Sequence, residues 1–208
     1  MAQNADLQRI GIFGGSFDPP HTAHIRLALC AIAQLQLDLL LVIPTGDAWH
    51  KPRNWALAPH RLAMTRLAFV GIPKVLVDSR EIDRTGPTYT IDSVHAIARD
   101  YPQAQIFLCI GGDQAKAFTT WHRWQDILDL VTLAVAMRPD SQMAPNPVAH
   151  PQWHNGLPPG AMHLDMPSLA ISATDIRLQL AQSDAFPVAL PTGVCEYIQQ
   201  HSLYKNDR

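Results

Sequence analysis

The sequence predicts an α/β fold, an open and mostly parallel sheet with helices on both faces. Three observations carry that reading. Short apolar runs of strand length alternate with helical stretches along the whole chain. The run at residues 38–43 (DLLLVI) is apolar on both faces, as a strand inside a parallel sheet is. Turn-forming clusters end the runs, notably Gly14 to Pro20 after the first and Gly111-Gly112-Asp113 after the fourth.

The elements follow in order. Residues 7–13 read as the first strand, 14–20 as a turn-rich segment and 22–36 as a helix rich in Leu and Ala. Residues 38–43 form the second strand, ended by Pro44, and 45–58 a loop without periodicity. Pro59 suits the first turn of a helix running to about residue 70. Residues 74–77 are a third strand, and a polar stretch leads from there into a helix over 90–99. Residues 104–110 make the fourth strand, 114–130 one or two helices, and 131–136 the fifth strand. Six prolines between residues 139 and 160 require a loop, long enough to be a surface excursion or a lid. Residues 162–165 are a last short strand, and helices follow Ser172 and Pro191.

Bulk properties bound the rest. The 208 residues, 47% hydrophobic and 16% charged, suit one α/β domain over 1–208, with the excursion at 139–160 and a small helical part at 172–204. A net charge of −2 argues against wholesale nucleic-acid binding. Cys30, Cys109 and Cys195 are widely spaced among apolar neighbours, the pattern of reduced, buried thiols. The first residues lack a charged and apolar leader, and no apolar run reaches membrane-spanning length, so a cytoplasmic protein without membrane partners is expected.

Gly14-Gly15-Ser16-Phe17-Asp18-Pro19-Pro20-His21-Thr22-Ala23-His24 leads from the first strand into a helix. It is neither the G-x-G-x-x-G fingerprint nor a P-loop, since no Gly-Lys-Ser/Thr follows. It shares their logic: glycines admit a ligand to the backbone, and a helix start favours anions. His21 and His24, three apart, share one face, with Arg26 just beyond. Cations there oppose the helix dipole unless an anion is present, so the string suggests a phosphate site. A zinc site would need a third ligand, and His150, His154 and His163 sit in a proline-broken region. Near the end, Ile171-Ser172-Ala173-Thr174-Asp175-Ile176-Arg177 reads either as an N-cap or as a second phosphate cradle.

These two strings resemble the G-G-[ST]-F-D-P-x-H-x-G-H and I-S-[SA]-T-x-I-R patterns of the nucleotidyltransferases. The resemblance implies their Rossmann-like nucleotidyltransferase fold, ATP binding and adenylyl transfer. It puts His21 and His24 in catalysis at the α- and β-phosphates. Gly14, Gly15, Ser16, Phe17, Lys51, Ser172, Thr174 and Arg177 are then expected to bind ATP and its phosphates, with Mg²⁺ carried by those phosphates. Ala23 stands where the pattern has Gly.

Three further segments resemble the nicotinate-nucleotide adenylyltransferases: residues 81–90, residues 111–127 with Phe118, Trp121 and Trp124, and residues 190–204. Nicotinate mononucleotide is the acceptor this implies, at Thr88, Tyr89, Asp113 and Trp121. Independently, the helix start near residues 88–90 can receive a carboxylate, Tyr89 or Trp121 offers a flat face to a pyridine ring, and Asp113 can accept from ribose hydroxyls. On spacing alone, Trp121 and Trp124 also fit plain core positions on one helix face, and Asp113 fits a helix cap. The alternatives are nicotinamide mononucleotide or phosphopantetheine as acceptor, a nucleotide sensor without catalysis, or a zinc hydrolase. Small-molecule substrates, not nucleic acid, are the expected partners.

Overall fold

A computed structural model describes residues 7–46, 56–137, 157–167, 169–183 and 185–205. The elements run β1 (Arg9–Gly15), α1 (Thr22–Gln34), β2 (Leu39–Pro44), α2 (Ala58–Phe69), β3 (Val75–Val77), α3 (Thr90–Asp100), β4 (Gln105–Gly111), α4 (Gly112–Ala117), a 3₁₀ turn (Phe118–Thr120), α5 (Trp124–Leu130), β5 (Thr132–Met137), β6 (Met162–Asp165), α6 (Ala173–Gln182) and α7 (Thr192–Gln200).

The strands form one six-stranded sheet in the order β3-β2-β1-β4-β5-β6. β1 pairs with β4, β4 with β5 and β5 with β6, all parallel. The chain builds outward from β1 to β3, then crosses back and builds outward from β4. The order therefore reverses between β1 and β4, where ligands of open α/β sheets bind beyond the strand carboxyl ends. The expected α/β class of open parallel sheet with helices is the one observed.

β2 is apolar on both faces as predicted, with Leu40 to Ile43 buried, and Ile10 and Ile12 in β1 and Phe107 to Ile110 in β4 are buried too. A Cβ at Gly11 would lie 2.5 Å from Leu37 Cδ1 and 2.6 Å from Leu40 Cδ1, so any larger residue there would make these buried leucines shift. Asp38 fixes the start of β1 by accepting the Gln8 and Arg9 N–H groups at 2.9 Å each. α3 buries Ile91, Val94 and Ile97 at helical spacing, and α2 starts with a proline as anticipated.

Two boundaries differ from expectation. β1 runs on through both glycines to Gly15, because nothing in their backbone opposes extension. The stretch after β4 breaks into α4, the 3₁₀ turn and α5, with Arg123 left-handed (φ 54°) at the last break. Of the proline-rich excursion, only residues 157–160 are among those described, and Leu157 and Pro158 there are buried.

Packing groups the chain into two compact units. The first comprises residues 1–14, 27–41 and 89–168, with a core that includes Ile10, Leu35, Phe107, Phe118 and Val135. The second comprises residues 15–26, 42–88 and 169–208, with a core of Phe17, Met64, Phe69, Ile176, Val194 and Ile198. The second unit also buries Asp18, His21, Arg61, Thr65 and Glu81. No helix among the described residues is long and apolar enough to cross a membrane.

Candidate active site

The loop leaving β1 is held by its own side chains and by one buried arginine. Phe17 adopts a left-handed backbone (φ 47°), unusual for an aromatic residue. Its ring compensates by complete burial, edge-on to His24 at 5.0 Å and to Phe69 at 6.1 Å. Arg61 of α2, 4% exposed, donates to the carbonyls of Ser16 (3.0 Å), Gly46 (2.9 Å) and Ala56 (3.2 Å). This guanidinium fixes the loop backbone, and sequence reasoning missed it. Its only signal was a cation at a core-facing position of a helix.

His21 and His24 stack, ring centroids 3.7 Å apart and planes 23° apart. The His21 N–H donates to His24 Nδ1 at 3.1 Å. Nδ1 is thus an acceptor, so neutral His24 carries its proton on Nε2. His21 and His24 themselves are not cationic in the free protein, contrary to that part of the sequence reading. Burial pushes His21 down to about 4. Burial, then the charge of His21, holds His24 well below the usual imidazole range. Buried His21 Nδ1 has no hydrogen-bond partner among the described residues. The helix offers fewer backbone donors than expected, too: the Thr22 N–H goes to the Ala189 carbonyl and the His24 N–H to the His21 carbonyl, both at 2.9 Å. Side chains therefore dominate this end of the cradle.

The depressed imidazoles link stability to pH. Unfolded, these histidines bind protons near 6.5; folded, His21 does so only near 4. Stability is therefore expected to be full above about 6.5 and to fall as pH drops toward about 4. Denaturant midpoints at pH 5 and pH 7 test this. The loss on acidification is expected to be smaller in His21→Asn, which has no proton to take up.

α6 brings the second motif to the first. Ser172 caps it, its hydroxyl accepting the Asp175 N–H at 3.5 Å, so the cap reading holds. Arg177 does more. Its Nη1 donates to the Asp18 carbonyl at 2.6 Å and its Nη2 to the Thr174 hydroxyl at 3.2 Å. Gly15, Ser16, Phe17, His21, His24, Ser172, Thr174 and Arg177 thus share the second unit, where Arg177 ties the two motifs together. Thr88, half-buried, also belongs to it. Ala23 lies half-buried in the first turn of α1, where alanine is a better helix former than glycine. Lys51 lies outside the described residues.

Gly14, Tyr89, Asp113 and Trp121 belong to the first unit. A Cβ at Gly14, next to last in β1, or at Gly111, the last residue of β4, would meet no atom within 4 Å, so packing does not demand glycine at either position. Gly14→Ala is expected to melt like the wild type yet weaken ATP binding, read as a raised KM for ATP at unchanged Tm. Tyr89, 38% exposed, stands at the start of α3 and tilts against His122 at 4.4 Å. Asp113 is exposed in the first turn of α4, two residues inside the cap position, which Gly111 occupies. Trp121 packs on buried Phe118 at 5.2 Å, and Trp124 does so at 6.4 Å. Trp121 ends the 3₁₀ turn while Trp124 opens α5, so the two do not share a helix face. Trp121 and Trp124 remain half-buried rather than core.

The cytidylyltransferase-like family model matches residues 12–179. A probable nicotinate-nucleotide adenylyltransferase of Albidiferax ferrireducens is 46% identical over 199 residues, covering 96% of this chain and 99% of that protein. A protein of the same description from Pseudomonas aeruginosa is 35% identical, covering 95% and 98%. In fold, the chain is similar to Plasmodium falciparum nicotinic acid mononucleotide adenylyltransferase complexed with NaAD, with a TM-score of 0.76 at 18% identity, over 95% of this chain and 97% of that one.

Proposed function

Since this chain belongs to the nicotinate-nucleotide adenylyltransferase family, within the cytidylyltransferase-like group, we propose how its residues move the adenylyl group of ATP to nicotinate mononucleotide. The reaction yields nicotinate adenine dinucleotide and pyrophosphate for NAD biosynthesis. The observation that carries the assignment of roles is the pair of Arg177 bonds, which joins Thr174 and the Asp18 carbonyl beside the stacked histidines.

A phosphate oxygen of nicotinate mononucleotide attacks the α-phosphorus in line. The bond from that phosphorus to the bridging oxygen breaks, and pyrophosphate leaves. The attacking phosphate is already ionised near neutral pH, so no strong general base and no covalent intermediate are needed. Catalysis reduces to positioning and to neutralising charge. His24, its Nδ1 occupied, points the Nε2 proton to the phosphates, and His21 supports it by stacking and offers its own unpaired Nδ1. Bound phosphate favours the charged form of His21, whose Nδ1 is unpaired, and so opposes the depression seen in the free protein, while His24 serves as a neutral Nε2 donor. Gly14, Gly15, Ser16 and Phe17 shape the loop under the nucleotide. Ser172, Thr174 and Arg177 hold the triphosphate, and Lys51 adds charge. Thr88 and Tyr89 take the pyridine carboxylate and ring, Trp121 supplies a second apolar face, and Asp113 accepts from ribose.

Carried on the triphosphate, Mg²⁺ would lower its charge. Residues 1–208 act as one nucleotidyltransferase domain in the cytoplasm, on small molecules rather than nucleic acid or membrane.

The test is turnover with Mg-ATP and each of three acceptors. Nicotinate mononucleotide is expected to give the highest kcat/KM. Preference for nicotinamide mononucleotide would overturn the carboxylate site at Thr88 and Tyr89, and preference for phosphopantetheine would overturn the acceptor altogether. Binding of ATP without transfer to any acceptor would make the chain a sensor.

A further inference from the structure

Asp18 lies in the middle of the glycine loop and is completely buried. Its side chain has no role in the reaction as derived above, yet three separate parts of the second unit converge on it. Its Oδ1 accepts the Tyr204 hydroxyl at 2.5 Å and the Ala56 N–H at 3.2 Å. Its backbone carbonyl accepts Arg177 at 2.6 Å. Its Oδ2 is buried with no partner among the described residues. Tyr204 belongs to the turn after α7, near the end of the chain, with a left-handed backbone (φ 64°) and its hydroxyl 4.0 Å from the Met64 sulfur.

We propose that Tyr204 is a positioning residue for the triphosphate cradle, acting through Asp18. The phenol holds the Asp18 carboxyl while Arg177 holds its backbone carbonyl. Arg177 can present its guanidinium in one place only if the carbonyl it leans on is itself fixed. Phe17, next in the chain, carries the ring that stands against His24. Motion of Asp18 therefore reaches both the arginine and the histidine. Burial raises the Asp18 carboxyl above the usual range against the pull of the Tyr204 bond, and raises the Tyr204 phenol too, so the hydroxyl keeps its proton and stays a donor. A tyrosine kept only for packing would not need its hydroxyl on a buried carboxylate, a short bond to the centre of a ligand loop 186 residues away.

The inference rests on the triphosphate reading of the cradle. Tyr204→Phe keeps the ring and removes only the hydroxyl. In the full-length protein its affinity for α,β-methylene-ATP, measured calorimetrically with Mg²⁺, is expected to fall by about tenfold. In turnover, KM for ATP rises while KM for nicotinate mononucleotide stays at the wild-type value. Met64→Leu, which changes the other neighbour of the hydroxyl without touching its bond to Asp18, is the control for stability. It is expected to lower Tm and leave ATP affinity unchanged. Asp18→Ala in the Tyr204→Phe background is expected to add less than it does alone, since each removes one partner of the same bond. If Tyr204→Phe lowers Tm but binds the analogue as the wild type does, the hydroxyl is structural and the proposal fails. If the wild type itself does not bind the analogue, the cradle reading fails instead.

Discussion

His24→Ala is expected to lower kcat by about a hundredfold to a thousandfold, the usual cost of removing one oriented donor from a site where charge develops. Affinity for a non-cleavable ATP analogue should change far less. The reasoning rests on orientation. Nδ1 of His24 is engaged by the His21 N–H at 3.1 Å, so the ring cannot turn to offer its other nitrogen, and Nε2 is the donor. Phe17 and His21 hold the ring on two sides, at 5.0 and 3.7 Å between centroids. A donor built this rigidly gains most when the phosphate oxygens acquire charge in the transition state, and less in the ground state. Equal losses in binding and turnover would instead make His24 a plain binding residue. The pH profile adds a second reading. Both imidazoles are neutral in the free protein, so kcat/KM should show no titration step from these groups near 6.5, and any step they contribute should lie well below it, toward the value of about 4 for His21.

Arg177→Ala is expected to reduce kcat/KM by about a hundredfold or more, chiefly through KM for ATP, because charge-assisted contacts to phosphate are lost along with the clamp on the loop. Arg177→Lys separates these contributions. A lysine restores a positive charge but cannot donate to the Asp18 carbonyl and the Thr174 hydroxyl from one planar group while facing a phosphate. It should recover only part of the loss. Full recovery by lysine would show that charge alone matters and that the fork between the two motifs is incidental.

Much of this was legible in the sequence because it is local. The strand at residues 38–43 announces itself by its apolar run, and β4 and β6 fall close to the expected 104–110 and 162–165. His21 and His24 follow from their spacing, and the Ser172 cap from its position before a helix. What the sequence hid is long-range or environmental. Arg61 holds Ser16 across 45 residues, and Tyr204 holds Asp18 across 186; no periodicity encodes either pair. The histidines looked cationic because their composition and position suggested it, whereas burial makes them neutral. Trp121 and Trp124 looked like one helix face until the left-handed Arg123 separated them. A residue three positions on shares a face only if the helix between is unbroken.

The central claim is transfer of the adenylyl group itself, and isotope tracing tests it most directly. ATP labelled at the α-phosphorus, incubated with Mg²⁺, the protein and nicotinate mononucleotide, should place its label in nicotinate adenine dinucleotide. ATP labelled at the γ-phosphorus should place its label in pyrophosphate, released only when the acceptor is present. Label from the α-position appearing in AMP with no dinucleotide, or pyrophosphate released at the same rate without acceptor, would contradict the account and make the chain a hydrolase.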